Sequence, residues 1–243
     1  VLVNVDAKAL EVLCAAYLSN DPILCNEIIT GVDMHQNNQN DFKLPTRLIA
    51  KTLTFRILYG GTEYSFAQDP DFTEVSTSKK YWKEVIEKFY DKYKGLSSWH
   101  SKLIQTASST NKIVMPTGRF YTYESYLRNG DIVWPRTTIL NYPVQGLGAD
   151  LMSIIRVSFH KRFKAARFVG QEISTIHDSI VVDVPKEEVE AVCRMFESVF
   201  NDLPMNFERV FGVPFNLPSR CEVSYGNDKY SLQTWDGNGI IIV

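Results

Sequence analysis

The stretch TRLIAKTLTFRILYGG, residues 46–61, constrains the fold more than any other part of the chain. Ile49, Leu53 and Ile57 recur every four residues, and so do Arg47, Lys51, Phe55 and Tyr59. On a helix turning about 100° per residue, the aliphatic set falls at about 200° to 280° from Arg47, and the second set drifts through about 120°. Such a helix has one face to bury and a cation–aromatic stripe that looks outward. Pro45 suits a first turn and Gly60-Gly61 ends the pattern, which predicts a helix over 45–59. Two large aromatics on the non-core side need a partner surface. Cations followed by flat rings suit a ligand with phosphates at one end and a stackable base at the other. A solvated cationic turn with its aromatics tucked under a neighbour is the alternative.

Two β-prone runs raise a second question. VLVNVD ends in Asp6, and TIHDSIVV carries Asp178 at a tight connection between apolar residues. An acid in an apolar strand context is costly unless it is paired or holds a metal, although Asp is also an ordinary turn former. Brought together, two such acids would hold a pair of Mg²⁺ ions for in-line phosphoryl chemistry.

Around these features the order of elements is mixed. A strand at 1–6 leads to a helical pattern in LEVLCAAYL, which SNDP breaks; residues 21–40 are polar, and QNNQN reads as an exposed loop. Residues 78–111 read as two helices broken at Gly95, and KIVMPTGRFYTYESY alternates around a turn like a hairpin. VQGLGADLMSIIRVSFHKRFKAA is a further helix, EISTIHDSIVVDVP two short strands, KEEVEAVCRMFESVFNDL a helix, and SRCEVSYGNDKYSL a last strand and turn. This order favours an α+β fold over an alternating parallel sheet.

Composition excludes more than it reveals. A formal net charge of -2 does not mark a general nucleic-acid binder, so any basic surface is local or depends on bound metal. The four cysteines are scattered without a C-x-x-C pair, which argues against a zinc site and for free thiols in a reducing compartment. No apolar run approaches a membrane span, and no signal-peptide pattern opens the chain.

Taken in order, four segments resemble the polymerase region of family A DNA polymerases, of the bacterial DNA polymerase I and phage replicative type. They are VDAKALEVLCAAYLSND, RLIAKTLTFRILYGG, NYPVQGLGADLM and TIHDSIVVDVP, and the likeness is collinear from Val1 to about Leu232. The resemblance implies an α+β palm whose antiparallel sheet carries the catalytic acids, plus a helical fingers subdomain. Residues 1–20 and 116–243 would form the palm and 21–115 the fingers. The thumb, the upstream palm and any exonuclease domain are missing from the sequence, so the chain is expected to be part of a longer or split polymerase. Its remaining segments would then be partners, in the same or a companion chain. A cytoplasmic setting is expected, that of a bacterial host if the gene is a phage's.

The resemblance also implies roles. Asp6 and Asp178, with the main-chain carbonyl of Ala7, would bind two divalent ions, Mg²⁺ or Mn²⁺. Arg47 and Lys51 would grip the triphosphate of a dNTP, with Lys51 the candidate general acid, and His35 would approach the phosphates. Phe55 would stack on the incoming base, Tyr59 would close the pocket, and Glu11 would disfavour a ribose hydroxyl. Asn141, Gln145, Arg119 and His177 would contact primer–template DNA. Without the resemblance, His35 reads as a loop histidine, Glu11 as a helix-start acid, and Asn141 and Gln145 as local capping groups.

The departures leave other readings open. Leu13 replaces a usual arginine and Ala9 a polar residue, Arg56 stands where a glycine is usual, and Ser179 replaces the acid of the family's His-Asp-Glu. His-Asp-Ser is similar to the single-subunit RNA polymerases, so an RNA polymerase-like or relaxed-sugar enzyme is the alternative, and a non-catalytic nucleic-acid-binding remnant a further one. Retention of both acids with Lys51 speaks against the remnant. A metal-dependent nuclease leaves the stripe unexplained.

Overall fold

The computed structural model describes residues 1–237. In chain order the elements are β1 (Leu2–Ala7), α1 (Leu10–Ser19), α2 (Pro22–Thr30), α3 (Met34–Phe42), α4 (Arg47–Leu58), α5 (Glu63–Gln68), α6 (Pro70–Thr73), α7 (Lys79–Lys92) and α8 (Lys94–Thr110). There follow β2 (Lys112–Val114), β3 (Phe120–Thr122), β4 (Tyr126–Arg128), β5 (Asp131–Val133), α9 (Arg136–Ala165), β6 (Gln171–Ile176) and β7 (Ser179–Asp183). After a short 3₁₀ turn come α10 (Val189–Asn201), α11 (Leu203–Phe211), β8 (Cys221–Gly226) and β9 (Gln233–Thr234). Helices and antiparallel strands mix as the sequence predicts, and the fold is α+β. The chain forms two compact units, one of Val1–Leu10 with Gly148–Val243, the other of Glu11–Leu147.

The first unit is built on an antiparallel sheet of order β6-β7-β1-β8-β9. Val3, Val5, Ile180, Val182, Val223 and Tyr225 are buried on one face. Helix α10 packs on β1 and β8 and buries Val192, Cys193, Phe196, Val199 and Phe200. Phe159 of α9 stacks on Phe196, with centroids 3.9 Å apart and planes 7° from parallel. The alternate residues of β1 and β7 are less buried, so the sheet has a covered face and an open one.

The second unit is helical apart from two small hairpins. Asp21 organises its centre. Its Oδ1 accepts from the N–H groups of Ile23 and Leu24 at the start of α2, at 3.0 and 2.9 Å. Its Oδ2 accepts from Gly95 and Leu96 at the start of α8, at 2.7 and 3.2 Å. One fully buried carboxylate thus satisfies orphan donors of two helices. Helix α7 ends at Lys92, and Gly95 lies inside the first turn of α8 rather than at the break. The glycine is required for another reason: a Cβ there would lie 2.7 Å from the Asp21 Cα.

The polar stretch 21–40 is mainly helical, including the QNNQN run that was expected to be a loop. Asp21 and Asp33 cap α2 and α3, Pro22 opens α2, and Gly31 ends it in the left-handed region at φ 71°. The QNNQN run lies in α3, where Asn38 is wholly buried. Its side-chain oxygen accepts from Lys92 Nζ at 2.7 Å and Tyr93 Oη at 3.0 Å, and its nitrogen donates to Thr54 Oγ1 at 3.3 Å. Gln36, Asn37 and Asn40 are exposed as the sequence suggests, while Asn38 alone is buried and ties α3 to α4 and α7, a difference that a local window cannot show.

Two further elements start where the sequence pattern does not place them. Helix α9 begins at Arg136 and runs through Pro143, which has no N–H to give its preceding turn. The β4–β5 hairpin closes on Asn129 and Gly130, both at positive φ (53° and 88°), the backbone that a tight two-residue Asn-Gly turn demands.

Candidate functional site

In the sheet unit the candidate residues collect at one end of the two central strands. Asp6 lies opposite Ser179 of β7 on one side and Glu222 of β8 on the other. The Ala7 N–H donates to the Asp178 carbonyl at 3.1 Å, extending the ladder one step into the turn. Strand pairing therefore sets Asp6, Ala7 and Asp178 within one register step, and the alternation of β1 puts Asp6 on the open face. His177 occupies the other turn position at φ 53°, a backbone that costs a non-glycine residue energy. Arg156 of α9 donates from Nη2 to the His177 carbonyl at 3.3 Å, and Ser179 Oγ donates to the Ile176 carbonyl at 2.9 Å. Ser179, where an acid was expected, thus closes the hairpin turn.

Oxygen donors of this kind suit a hard divalent cation, which commonly takes one or two carboxylates plus water and substrate phosphate. Among the described residues no group of three or more His, Cys, Asp and Glu side chains forms a closed metal set. A pair of carboxylates with a neighbouring main-chain carbonyl fits a magnesium site that the substrate completes. It does not fit a structural zinc site, which would need four protein ligands. The four cysteines are free, and burial pushes the Cys193 and Cys221 thiols up to about 12, far from a reactive thiolate.

In the helical unit the stripe of α4 is as predicted at its outward side. Arg47 and Lys51 are exposed, Phe55 and Tyr59 half-buried, and Leu53 and Ile57 fully buried. The buried arc also takes in Ala50, Thr54 and Leu58, while Ile49 is only half-buried, because α3 packs against that flank of the helix. Thr46 caps the helix through the Ile49 N–H at 3.2 Å. Lys51 Nζ stands 5.9 Å from the Phe55 ring centroid, a loose cation–π contact.

Helix α3 supplies the neighbours of this stripe. Asp33 Oδ2 accepts from Arg47 Nε at 2.7 Å, while its Oδ1 accepts from the N–H groups of His35 and Gln36 at 3.1 and 3.0 Å. The hydrogen bond from Arg47 holds the Asp33 carboxyl below the usual carboxylate range. His35 is buried, its ring tilted against Phe55 at 5.9 Å, and its Nδ1 has no hydrogen-bond partner. Burial, with the Arg47 and Lys51 charges, lowers its pKa to about 4, so the imidazole is neutral near pH 7.

At the far end of the stripe the Tyr59 hydroxyl accepts from Gln145 Nε2 at 2.7 Å. Burial and then the nearby Glu11 carboxylate push that phenol up to about 12. Glu11, Tyr59 and Gln145 therefore form one cluster, with Asn141 one helical turn before Gln145. Gly146 lets the β2–β3 hairpin approach: a Cβ there would lie 1.6 Å from the Tyr121 hydroxyl and 3.0 Å from Arg119 Cδ. Arg119 thus lies against α9 beside Gln145.

Arg56, unexplained in the sequence, has a structural task. Its guanidinium pairs with Asp69 and, at 3.7 Å, with Asp71, and lies 5.5 Å from the Phe72 ring centroid. It ties α4 to α6 and stays off the stripe. Asp33 is the residue that motif reading missed; an Asp just before a helix start was a capping signal, but its bond to a residue fourteen positions on was not legible.

Comparison with known proteins bears on these arrangements. Residues 1–231 match the model of DNA polymerase family A. DNA polymerase I of Geobacillus stearothermophilus is 23% identical over 238 residues, covering 94% of this chain and 26% of that protein. The thermostable DNA polymerase I of Thermus aquaticus is 27% identical over 245 residues, covering 96% and 27%. The chain thus spans about a quarter of the length of these relatives. In structure it is similar to the POL domain of Pol1 from M. smegmatis, solved in complex with DNA primer-template and dNTP. The TM-score is 0.78 at 21% identity, over 93% of this chain and 39% of that one, a likeness of fold.

Proposed function

Since the chain belongs to DNA polymerase family A, we propose that it is the palm and fingers portion of an enzyme that extends a primer by template-directed addition of deoxynucleotides. The observation that carries this reading is the pairing of β1 with β7, which sets Asp6 and Asp178 one register step apart at one sheet end. Residues 1–20 and 116–243 are read as palm and 21–115 as fingers. The compact units divide instead at Leu10 and Leu147, so the segments bearing Glu11, Arg119, Asn141 and Gln145 are palm by family likeness while packing with the helical unit.

Asp6, Asp178 and the Ala7 carbonyl would hold two magnesium ions, with manganese a possible substitute. Bound there, such ions supply activation of the primer 3′-hydroxyl and neutralise triphosphate charge. Arg47 and Lys51 bind the phosphates as cations at the start of a helix, and Lys51 Nζ donates a proton to the leaving pyrophosphate. The neutral His35 contributes a hydrogen bond rather than a charge. Phe55 offers a face to the incoming base. Tyr59, held by Gln145 beside Glu11, closes the sugar side, where the carboxylate disfavours a 2′-hydroxyl. Asn141, Gln145, Arg119 and His177 contact primer–template DNA, and the remaining segments of the polymerase complete the grip. Free, unreactive thiols support a reducing cytoplasmic setting.

The test is Mg²⁺-dependent extension of a primed template by the whole polymerase, repeated with Asp178→Ala. Synthesis should fall about a thousandfold, with duplex binding retained. Undiminished synthesis in the variant would sink the metal assignment. Glu11→Ala should raise rNTP incorporation relative to dNTP; an unchanged ratio removes Glu11 from sugar selection.

A further inference from the structure

The start of α4 poses an electrostatic problem that Asp33 answers. Arg47 is the first residue of that helix, where the aligned peptide dipoles disfavour a cation, and Lys51 follows one turn later. A long, exposed guanidinium at such a position would sample many rotamers and lose that freedom on gripping a phosphate. Asp33 removes the difficulty from a neighbouring helix. Its Oδ2 takes the Arg47 Nε–H at 2.7 Å. Its Oδ1 is fixed by two backbone N–H groups at 3.1 and 3.0 Å, so the carboxylate cannot drift with the arginine. Because the bond uses Nε, the outer edge with both Nη groups stays open to an anion. The same carboxylate sets the start of α3 and hence the buried His35, whose Nδ1 finds no partner in the protein.

We propose that Asp33 is a positioning residue for the phosphate-binding end of α4, orienting Arg47 through one oxygen and the His35 turn through the other. The inference rests on the reading of Arg47 and Lys51 as a phosphate grip and adds to it a residue that touches no substrate. Asp33 pre-organises the arginine rather than competing for it: its charge already serves three donors, and the anion approaches the opposite edge of the guanidinium.

The probe is sodium tripolyphosphate, titrated calorimetrically without metal into the full chain. Asp33→Asn keeps an oxygen to cap α3 and loses the acceptor for Arg47. Affinity should fall about three- to tenfold, the cost of ordering one long side chain, with the melting temperature unchanged. In an Arg47→Ala background the same change should have no further effect, which a merely structural role would not produce. Asp33→Ala should lower affinity as well and also the melting temperature, since the cap is lost. Equal or tighter binding by Asp33→Asn, or an equal loss with and without Arg47, overturns the inference. Failure of the wild-type chain to bind tripolyphosphate would instead overturn the phosphate-grip reading itself.

Discussion

The two compact units make their candidate sites by different means. In the sheet unit, Asp6 and Asp178 are set by backbone pairing, and their positions follow from register alone. In the helical unit, side chains from other elements orient the stripe of α4, Asp33 on Arg47 and Gln145 on Tyr59, while Arg56, off the stripe, anchors the helix on Asp69 and Asp71. A site built on strand register is as stable as the sheet beneath it. One built on side-chain links is adjusted contact by contact, and each link is separately breakable.

The largest expected effect is on the sheet unit. Phe196→Ala removes the ring stacked on Phe159 between α10 and α9 and should cost about 3–5 kcal/mol, read as a drop in the urea midpoint. If the sheet unit supports its acids through packing, duplex-dependent synthesis should collapse at the denaturant concentration where this unit unfolds. A loss below about 1 kcal/mol would mean that the stacked pair repacks.

Gly95→Ala should break the helical unit at its shared cap. The new Cβ would meet Asp21 Cα at 2.7 Å and its carboxylate at 2.9 Å, so backbone must shift and four capping bonds lengthen. A destabilisation of about 1–3 kcal/mol is expected. Hydrogen exchange should speed at Ile23, Leu24, Gly95 and Leu96, with the β1 amides unaffected. Faster exchange in β1 as well would show that the units do not respond separately.

Acid should weaken the helical unit through its buried histidines. Burial lowers His100 to about 3, the Arg136 charge adding to it, and His35 to about 4, against about 6.5 for an ordinary histidine. Between these values the unfolded chain binds protons that the folded chain does not, so stability falls as pH falls from about 6.5 toward 3 to 4. His100→Leu should flatten that limb of the melting-temperature curve, whatever it does at pH 7. An equally steep limb in the variant would rule out His100 as a contributor.

The smallest effect belongs to Arg56. Its pairs with Asp69 and Asp71 are partly exposed, so Arg56→Ala should cost about 1 kcal/mol or less. Tripolyphosphate affinity should stay at the wild-type value. A clear loss of affinity would place Arg56 among the phosphate contacts, and would blur the distinction between anchor and stripe.

The sequence by itself determined what repeats locally. The four-residue spacing of Arg47, Lys51, Phe55 and Tyr59 required a helix with an outward stripe, and the β-prone runs required a strand that ends in Asp6 and a tight connection that carries Asp178. Tertiary structure decided everything that depends on a distant partner. Asp21 caps a helix that starts more than seventy positions later, and Gly95 is needed for that approach rather than as a helix breaker. Asn38, one of five polar residues in a row, is buried because Tyr93, Lys92 and Thr54 satisfy it. Arg56 and Arg47 are two cations of one helix with opposite tasks, divided by which acids the fold brings to them. Periodicity reports which side of an element is buried, because side-chain direction is a local property of the backbone. The partner that satisfies a charge or a buried amide is chosen only when the chain has folded around it.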